Sequence, residues 1–227
     1  MVRWQPGAPD RLVEAALELY AERGFDRTTV DEIAERAGVT QRTFFRHFAD
    51  KREVLFHGSS ALLEVLERTI ADLPGTPSAV TSAAEAFAGA AAVVDERPPG
   101  FSRRRAAVVA ATTALQEREL LKLTAMTATV QDALVRRGHD RTTAELAAEL
   151  GTTAFRVGFR RWAEDASASS LVAAVDHAFA SLRAAAAGGE AREPRADGSG
   201  VPDGALTAHR GDSARPGSAQ PAYRRWT

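Results

Sequence analysis

Between residues 28 and 56 the chain runs TTVDEIAERAGVTQRTFFRHFADKREVLF, and its caps, apolar positions and single glycine leave few ways to fold. Thr29 predicts a helix N-cap with Glu32 as its capping-box partner, and Ile33, Ala34 and Ala37 give that helix an apolar face. Gly38 stops it, because glycine accepts the left-handed backbone that lets the chain turn sharply and bury Val39. Thr40 caps a second short helix. There Phe44 and Phe48, four residues apart, share one face, which turns Gln41, Arg42, Thr43, Phe45, Arg46 and His47 elsewhere. Those are DNA-contacting residue types. Asp50 with Glu53 forms another capping box and predicts a longer helix from Lys51, whose first turn would suit a phosphate.

Composition narrows the class. The 227 residues are 44% hydrophobic and 26% charged, as in ordinary soluble proteins, and no cysteine is present. Disulfides, thiolate metal sites and cysteine nucleophiles are therefore excluded. No apolar run approaches the roughly 20 residues of a membrane span, and the N-terminus lacks the apolar centre of a signal peptide, so a cytoplasmic protein is expected. The five histidines, His47, His57, His139, His177 and His209, show no metal-ligand spacing. With no Gly-rich phosphate loop or GxSxG either, an enzyme is not expected, nor a cofactor or metal. The formal net charge is -1, yet from Thr40 to Arg52 the basic residues Arg42, Arg46, Lys51 and Arg52 face Asp50 alone. Positive charge gathers where a nucleic acid would be read.

Helical periodicity continues on both sides. Leu12, Ala16, Leu19 and Tyr20 form the stripe of a bracing helix that ends near Gly24, with Phe25 folding back as a plug. Residues 1–50 are thus expected to form a helix-turn-helix head and residues 51–187 a helical body. In the body, Pro74, Gly75 and Pro77 separate a helix ending near Asp72 from one over about 78–94. Further helices are predicted over 101–111, 114–137, from a Thr142–Glu145 capping box to about 164, and 171–187. No segment alternates with period two, so the expected fold is all-α with about nine helices. Residues 188–227, rich in glycine, proline and serine, read as a disordered tail, with YRRW at 223–226 as a stray aromatic pair.

From Arg11 to Phe56 the head resembles the TetR family of bacterial transcriptional regulators. The resemblance rests on Gly24-Phe25, Thr28-Thr29, Ile33-Ala34, Ala37-Gly38-Val39, Thr40, Thr43, Phe44, His47-Phe48 and Lys51. It implies that Thr40 to Phe48 lie in the major groove, with Gln41, Arg42 and Thr43 at base edges and Arg46 beside them. Thr29, His47 and Lys51 would grip phosphates. Phe45 stands where the family usually has tyrosine, so its ring is left to pack on sugar or a thymine methyl. The run TFFRHF is similar to an actinobacterial subset that includes the mycofactocin regulators, as are the body segments at 103–105, 115–121 and 154–162. That likeness implies acyl-CoA effectors.

A single head reads too few base pairs for a useful site, so a homodimer on a palindromic operator is expected, with half-sites about 34 to 36 Å apart or a multiple of that. Phe155, Phe159 and Trp162 on one helix and Val175, Phe179 and Leu182 on the next are the interface candidates. An effector pocket is expected among Phe56, Leu63, Phe87, Val108, Leu115, Leu123 and Met126. Arg104, between Arg103 and Arg105, is the candidate anchor for an acidic effector. The implied function is a repressor released by a small molecule. The alternative is a helical ligand-binding or interaction protein whose head no longer binds DNA.

Overall fold

The chain's apolar stripes sort into two cores, and glycines and caps decide where each helix stops. The computed structural model describes residues 7–98, 100–168 and 170–188; the tail expected over 188–227, with YRRW, lies outside them beyond Gly188. Among the described residues are nine α-helices, one 3-10 turn and no strand. The head is α1 (Ala8–Arg23), α2 (Val30–Arg36), α3 (Gln41–His47) and the 3-10 turn Glu53–Phe56. The body is α4 (Ser59–Asp72), α5 (Ala79–Asp95), α6 (Phe101–Ala110), α7 (Thr113–Arg136), α8 (Arg141–Glu164) and α9 (Leu171–Ala186). The expected all-α architecture is present, and no described helix is long and apolar enough to cross a membrane.

The first core is built on Leu12, Leu19, Tyr20, Phe25, Ile33, Phe44 and Phe48. It does not end at residue 50. Val54, Leu55 and Phe56 are buried in it, and so are Phe101, Val108 and Val109 of α6 and Leu115 at the start of α7. α6 is thus a body helix whose apolar face is spent on the head. The second core joins Leu66 and Ile70 of α4 and Phe87 of α5 to Met126 and Leu134 of α7, Phe155 of α8, and Val175 and Phe179 of α9.

Two expected starts are corrected. The helix predicted to run unbroken from Lys51 is a tight turn followed by a break. Asp50 Oδ1 accepts the backbone N–H groups of Arg52 at 2.7 Å and Glu53 at 3.2 Å, which closes a 3-10 turn, and Gly58 at φ 85° then reverses the chain before α4. Those amides are consequently taken, and the phosphate site expected there is absent. α8 begins under Asp140, whose carboxylate accepts the Thr143 N–H at 3.0 Å, and Thr142 is simply a residue of its first turn.

Distant side chains finish other helix ends. Asp95, the last residue of α5, accepts the N–H groups of Leu171 and Val172 at 2.9 and 3.2 Å and so serves the N-terminus of α9, where a negative charge is favourable. Arg137 donates to the carbonyls of Ile70, Ala71, Leu73 and Gly75, covering the C-terminal end of α4.

α8 and α9 approach so closely at Gly158 that a Cβ there would lie 2.9 Å from both the Ala174 carbonyl oxygen and Val175 Cα. Both atoms are backbone and cannot swing aside. Gly158→Ala is expected to destabilise the protein by about 1–3 kcal/mol through overpacking, seen as a lower thermal midpoint. An unchanged midpoint would contradict that packing.

Candidate nucleic-acid interface and effector region

α3 is held from behind and left bare in front. The Thr40 hydroxyl accepts the Thr43 N–H at 3.2 Å and lies 3.0 Å from the Thr43 hydroxyl, fixing the first turn. Phe44 is fully buried and Phe48 nearly so, their ring centroids 5.6 Å apart. On the opposite face Gln41, Arg42, Phe45, Arg46 and His47 are exposed. Gln41 and Arg42 have no intramolecular partner among the described residues. Phe45 is 52% exposed, its ring T-shaped to that of Phe44 at 5.4 Å between centroids. Arg46 lies 3.4 Å from the His47 ring nitrogen, so the two polar tips sit together. α2 is set by the expected capping box: the Thr29 hydroxyl accepts the Glu32 N–H at 3.3 Å, and Glu32 accepts the Thr29 N–H at 2.9 Å. That hydrogen bonding holds the Glu32 carboxyl below its ordinary range.

Two of the expected phosphate contacts are already engaged. The Thr29 hydroxyl donates to Glu32 at 3.0 Å, and any phosphate there competes with a carboxylate. Lys51 is the larger correction. Its ammonium donates to the carbonyls of Phe25 at 2.8 Å and Thr28 at 2.9 Å and sits 4.3 Å over the Phe25 ring, so it staples the α1–α2 loop. Tyr20, which the sequence offered only as a core residue, donates its hydroxyl to the Lys51 carbonyl at 2.6 Å. Arg52 turns back onto Asp50 at 2.6 Å. Of the basic cluster, Arg42 and Arg46 are exposed and hold no carboxylate or backbone carbonyl among the described residues.

The expected effector lining falls into two places. Phe56, Val108 and Leu115 belong to the head core; Phe87 and Met126 are fully buried in the body core, with Leu63 and Leu123 packed beside them. Arg104, expected as the effector anchor, pairs with Glu14 of α1 at 2.7 Å. Arg103 donates to the carbonyls of Trp162, Asp165 and Ala168 with its guanidinium 4.1 Å over the Trp162 ring. Arg105 donates to the Leu55 carbonyl and to Glu119, both at 2.6 Å. The three consecutive arginines thus hold α6 to three different neighbours.

Between the two cores runs a charged seam. Arg118 grips Glu53 of the 3-10 turn with two hydrogen bonds, at 2.6 and 3.1 Å. Glu119 is shared by Arg105 and Lys122, each at 2.6 Å. Burial raises the Glu119 carboxyl, but Arg105 and Lys122 outweigh it and bring it down to about 2. Burial and the neighbouring Arg105 pull the Lys122 ammonium down to about 8. A signal for this seam was present in the sequence. Leu115, Glu119, Lys122, Met126 and Val130 follow helical spacing, so two charges interrupt a stripe that is otherwise apolar.

The expected dimer aromatics lie mostly inside the subunit: Phe155, Trp162, Val175 and Phe179 are buried in the body core, and Phe159 and Leu182 are half-buried. The exposed stripe of α8 carries Leu146, Leu150 and Thr153, with Leu146 60% exposed.

Lys51→Met should destabilise the head by about 1–3 kcal/mol in urea unfolding, because two loop carbonyls lose a charged donor; full stability would return Lys51 to a purely DNA-facing role. The lowered Glu119 carboxyl stabilises the folded chain fully above its ordinary value of 4.5. That contribution should fade as pH falls from there toward 2, and Glu119→Gln should flatten the acid limb of the stability curve.

Residues 12–57 match the model of a family described as bacterial regulatory proteins, tetR family. Over 55 residues the chain is 51% identical to the HTH-type transcriptional regulator TcmR of Streptomyces glaucescens, 24% of each chain. Over 59 residues it is 37% identical to a protein of Mycobacterium tuberculosis named for regulation of mycofactocin biosynthesis, 26% of this chain and 30% of that one. These matches span about a quarter to a third of the curated relatives' lengths and do not separate a mycofactocin subgroup from its neighbours. Two solved structures share the fold over most of the chain. SmeT, described as the repressor of the Stenotrophomonas maltophilia multidrug efflux pump SmeDEF, is 22% identical with a TM-score of 0.55 and covers 80% of this chain and 90% of its own. NalD, described as the secondary repressor of the MexAB-OprM pump in Pseudomonas aeruginosa, is 20% identical with a TM-score of 0.55, covering 78% and 95%. Residues 12–57 are therefore similar to the DNA-binding region of the tetR family of bacterial regulatory proteins, and most of the chain shares the fold of SmeT and NalD.

Proposed function

We propose that this protein is a ligand-responsive, sequence-specific DNA-binding regulator of transcription, a homodimeric repressor that a small-molecule effector releases from a palindromic operator. One observation carries the reading: Gln41, Arg42, Phe45, Arg46 and His47 stand exposed on one face of α3 while Phe44 and Phe48 lock its other face into the core. Arginine's planar fork matches guanine O6 and N7, and glutamine matches adenine N6 and N7. The bare ring of Phe45 suits the methyl group of thymine. A regulator of this kind works where the chromosome is, in the cytoplasm.

Pairing of two heads falls to the body. Leu146, Leu150 and Thr153 on α8 and Ala173, His177 and Ala180 on α9 are exposed, and two copies of these helices would form a four-helix contact. The effector would act by favouring one spacing of the paired heads over another, which requires that it bind the two arrangements unequally. An acyl-CoA thioester is one class the reading admits.

Fluorescence anisotropy with duplex DNA from upstream of the protein's own gene, at two salt concentrations and with scrambled DNA as control, tests the proposal. Selective, salt-sensitive binding supports it; equal binding to scrambled DNA would favour a head that no longer reads DNA. Arg42→Ala should relax discrimination at one base position by about 1–3 kcal/mol, and deoxyuridine in place of one thymine should cost the wild type affinity that Phe45→Ala has already lost. Leu146→Glu combined with Leu150→Glu should give folded monomers in sedimentation velocity and weaken operator binding; a dimer that survives both changes would place the interface elsewhere.

A further inference from the structure

At the centre of the charged seam one carboxylate, Glu119, faces two cations where little solvent reaches them. The seam's cations are Arg105, Arg118 and Lys122 and its carboxylates are Glu53 and Glu119. Arg118 and Glu53 are matched one to one. That leaves Glu119 alone to serve both Arg105 and Lys122. The side chains of Lys122 and Arg105 are only 11% and 12% exposed. Arg105 spends its Nε–H on the Leu55 carbonyl and lies 4.7 Å over the Phe56 ring. Lys122 has no partner but Glu119 among the described residues, so two of its three N–H donors lack an acceptor. Nearby Arg97 has its guanidinium held below the ordinary range by burial and by Arg105, against the opposing pull of Asp10. A buried charge without a counterion is costly, and a buried ammonium with idle donors is more so.

We propose that Lys122 and Arg105 bind the acidic group of a small organic anion, and that this is the group by which the effector of the preceding reading is recognised. The anion supplies the missing negative charge and accepts the idle Lys122 donors. Leu123, the next residue of α7, is half-buried against the body core, so an apolar portion attached to the acid meets its side chain. A monocarboxylate with a hydrocarbon body has this chemistry. Because the acid competes with Glu119 for the two cations, and Arg105 also holds the Leu55 carbonyl, binding is felt directly at the 3-10 turn of the head.

The chain contains two lysines, Lys51 and Lys122, which makes the test unusually direct. In protein labelled with 13C-lysine, the two Cε resonances are assigned with Lys51→Arg and followed by NMR during titration with sodium octanoate, sodium benzoate and sodium phosphate. Sodium chloride at matched ionic strength is the control. The expected result is a saturable shift of the Lys122 resonance with octanoate or benzoate, an upward move of its titration midpoint from about 8, and no response from Lys51. Lys122→Met should abolish octanoate binding by calorimetry while the helical content stays unchanged. If neither carboxylate moves the Lys122 resonance more than chloride does, up to the limit of solubility, the proposal is overturned, whether or not the protein binds its operator. A response to phosphate and not to either carboxylate overturns the carboxylate assignment. A Lys122 response in protein that shows no selective DNA binding leaves the anion site in place and removes the regulator reading instead.

Discussion

The bidentate grip of Arg118 on Glu53, reinforced by Arg105 on the Leu55 carbonyl, ties everything else together. Glu53 and Leu55 lie in the 3-10 turn whose residues Val54, Leu55 and Phe56 complete the head core. The guanidinium groups of Arg105 and Arg118 both stack on the Phe56 ring, at 4.7 and 4.9 Å. Half-buried ion pairs of this geometry are worth more than surface pairs because solvent screens them less. They also fix direction, since two planar forks and a ring leave one relative placement of α6, α7 and the turn. The head is thereby joined to the body through α6 and α7 as well as through the chain leading into α4.

This arrangement gives the helix-turn-helix its firmness from an unexpected side. Tyr20 and Lys51 fasten the segment leading into the 3-10 turn to α1 and the α1–α2 loop. Arg104 and Glu14 then add a link from α6 to α1. A displacement of α6 or α7 therefore reaches α3 through packed side chains and short hydrogen bonds. An effector alters DNA affinity only if it binds two arrangements of such a connected unit unequally.

The legible parts of the sequence were those written locally. Thr29 with Glu32, Thr40, and Gly38 at φ 65° each act within four residues, and each stands where the pattern placed it. Phe44 and Phe48 were legible for the same reason, since a spacing of four names a shared face whatever packs against it. Local signals become ambiguous where two structures use the same chemistry. Asp50 and Glu53 satisfy a capping box in sequence, but a 3-10 turn needs the same acceptor, and Glu53 is drawn away to Arg118, 65 residues on. Likewise Asp140 and Thr142 are both sound caps, and Asp140 prevails by starting α8 earlier. Partners of Arg103, Arg104 and Arg105 lie 14 to 90 residues away, beyond any periodicity. The aromatic stripe of Phe155 and Trp162 correctly announced a buried face; periodicity does not say whether the covering surface belongs to the same subunit.

Amide hydrogen exchange with and without a selected operator duplex tests most directly whether the seam couples the two halves. If Arg105 and Arg118 transmit strain between head and body, DNA binding slows exchange in the 3-10 turn over 53–56 and also in α7 over 117–122, although α7 touches no DNA. Arg118→Gln should erase the α7 effect while α3 remains protected. Protection confined to α2 and α3, with 117–122 unchanged in the wild type, would mean that the head binds DNA without the body's knowledge and would contradict the coupling.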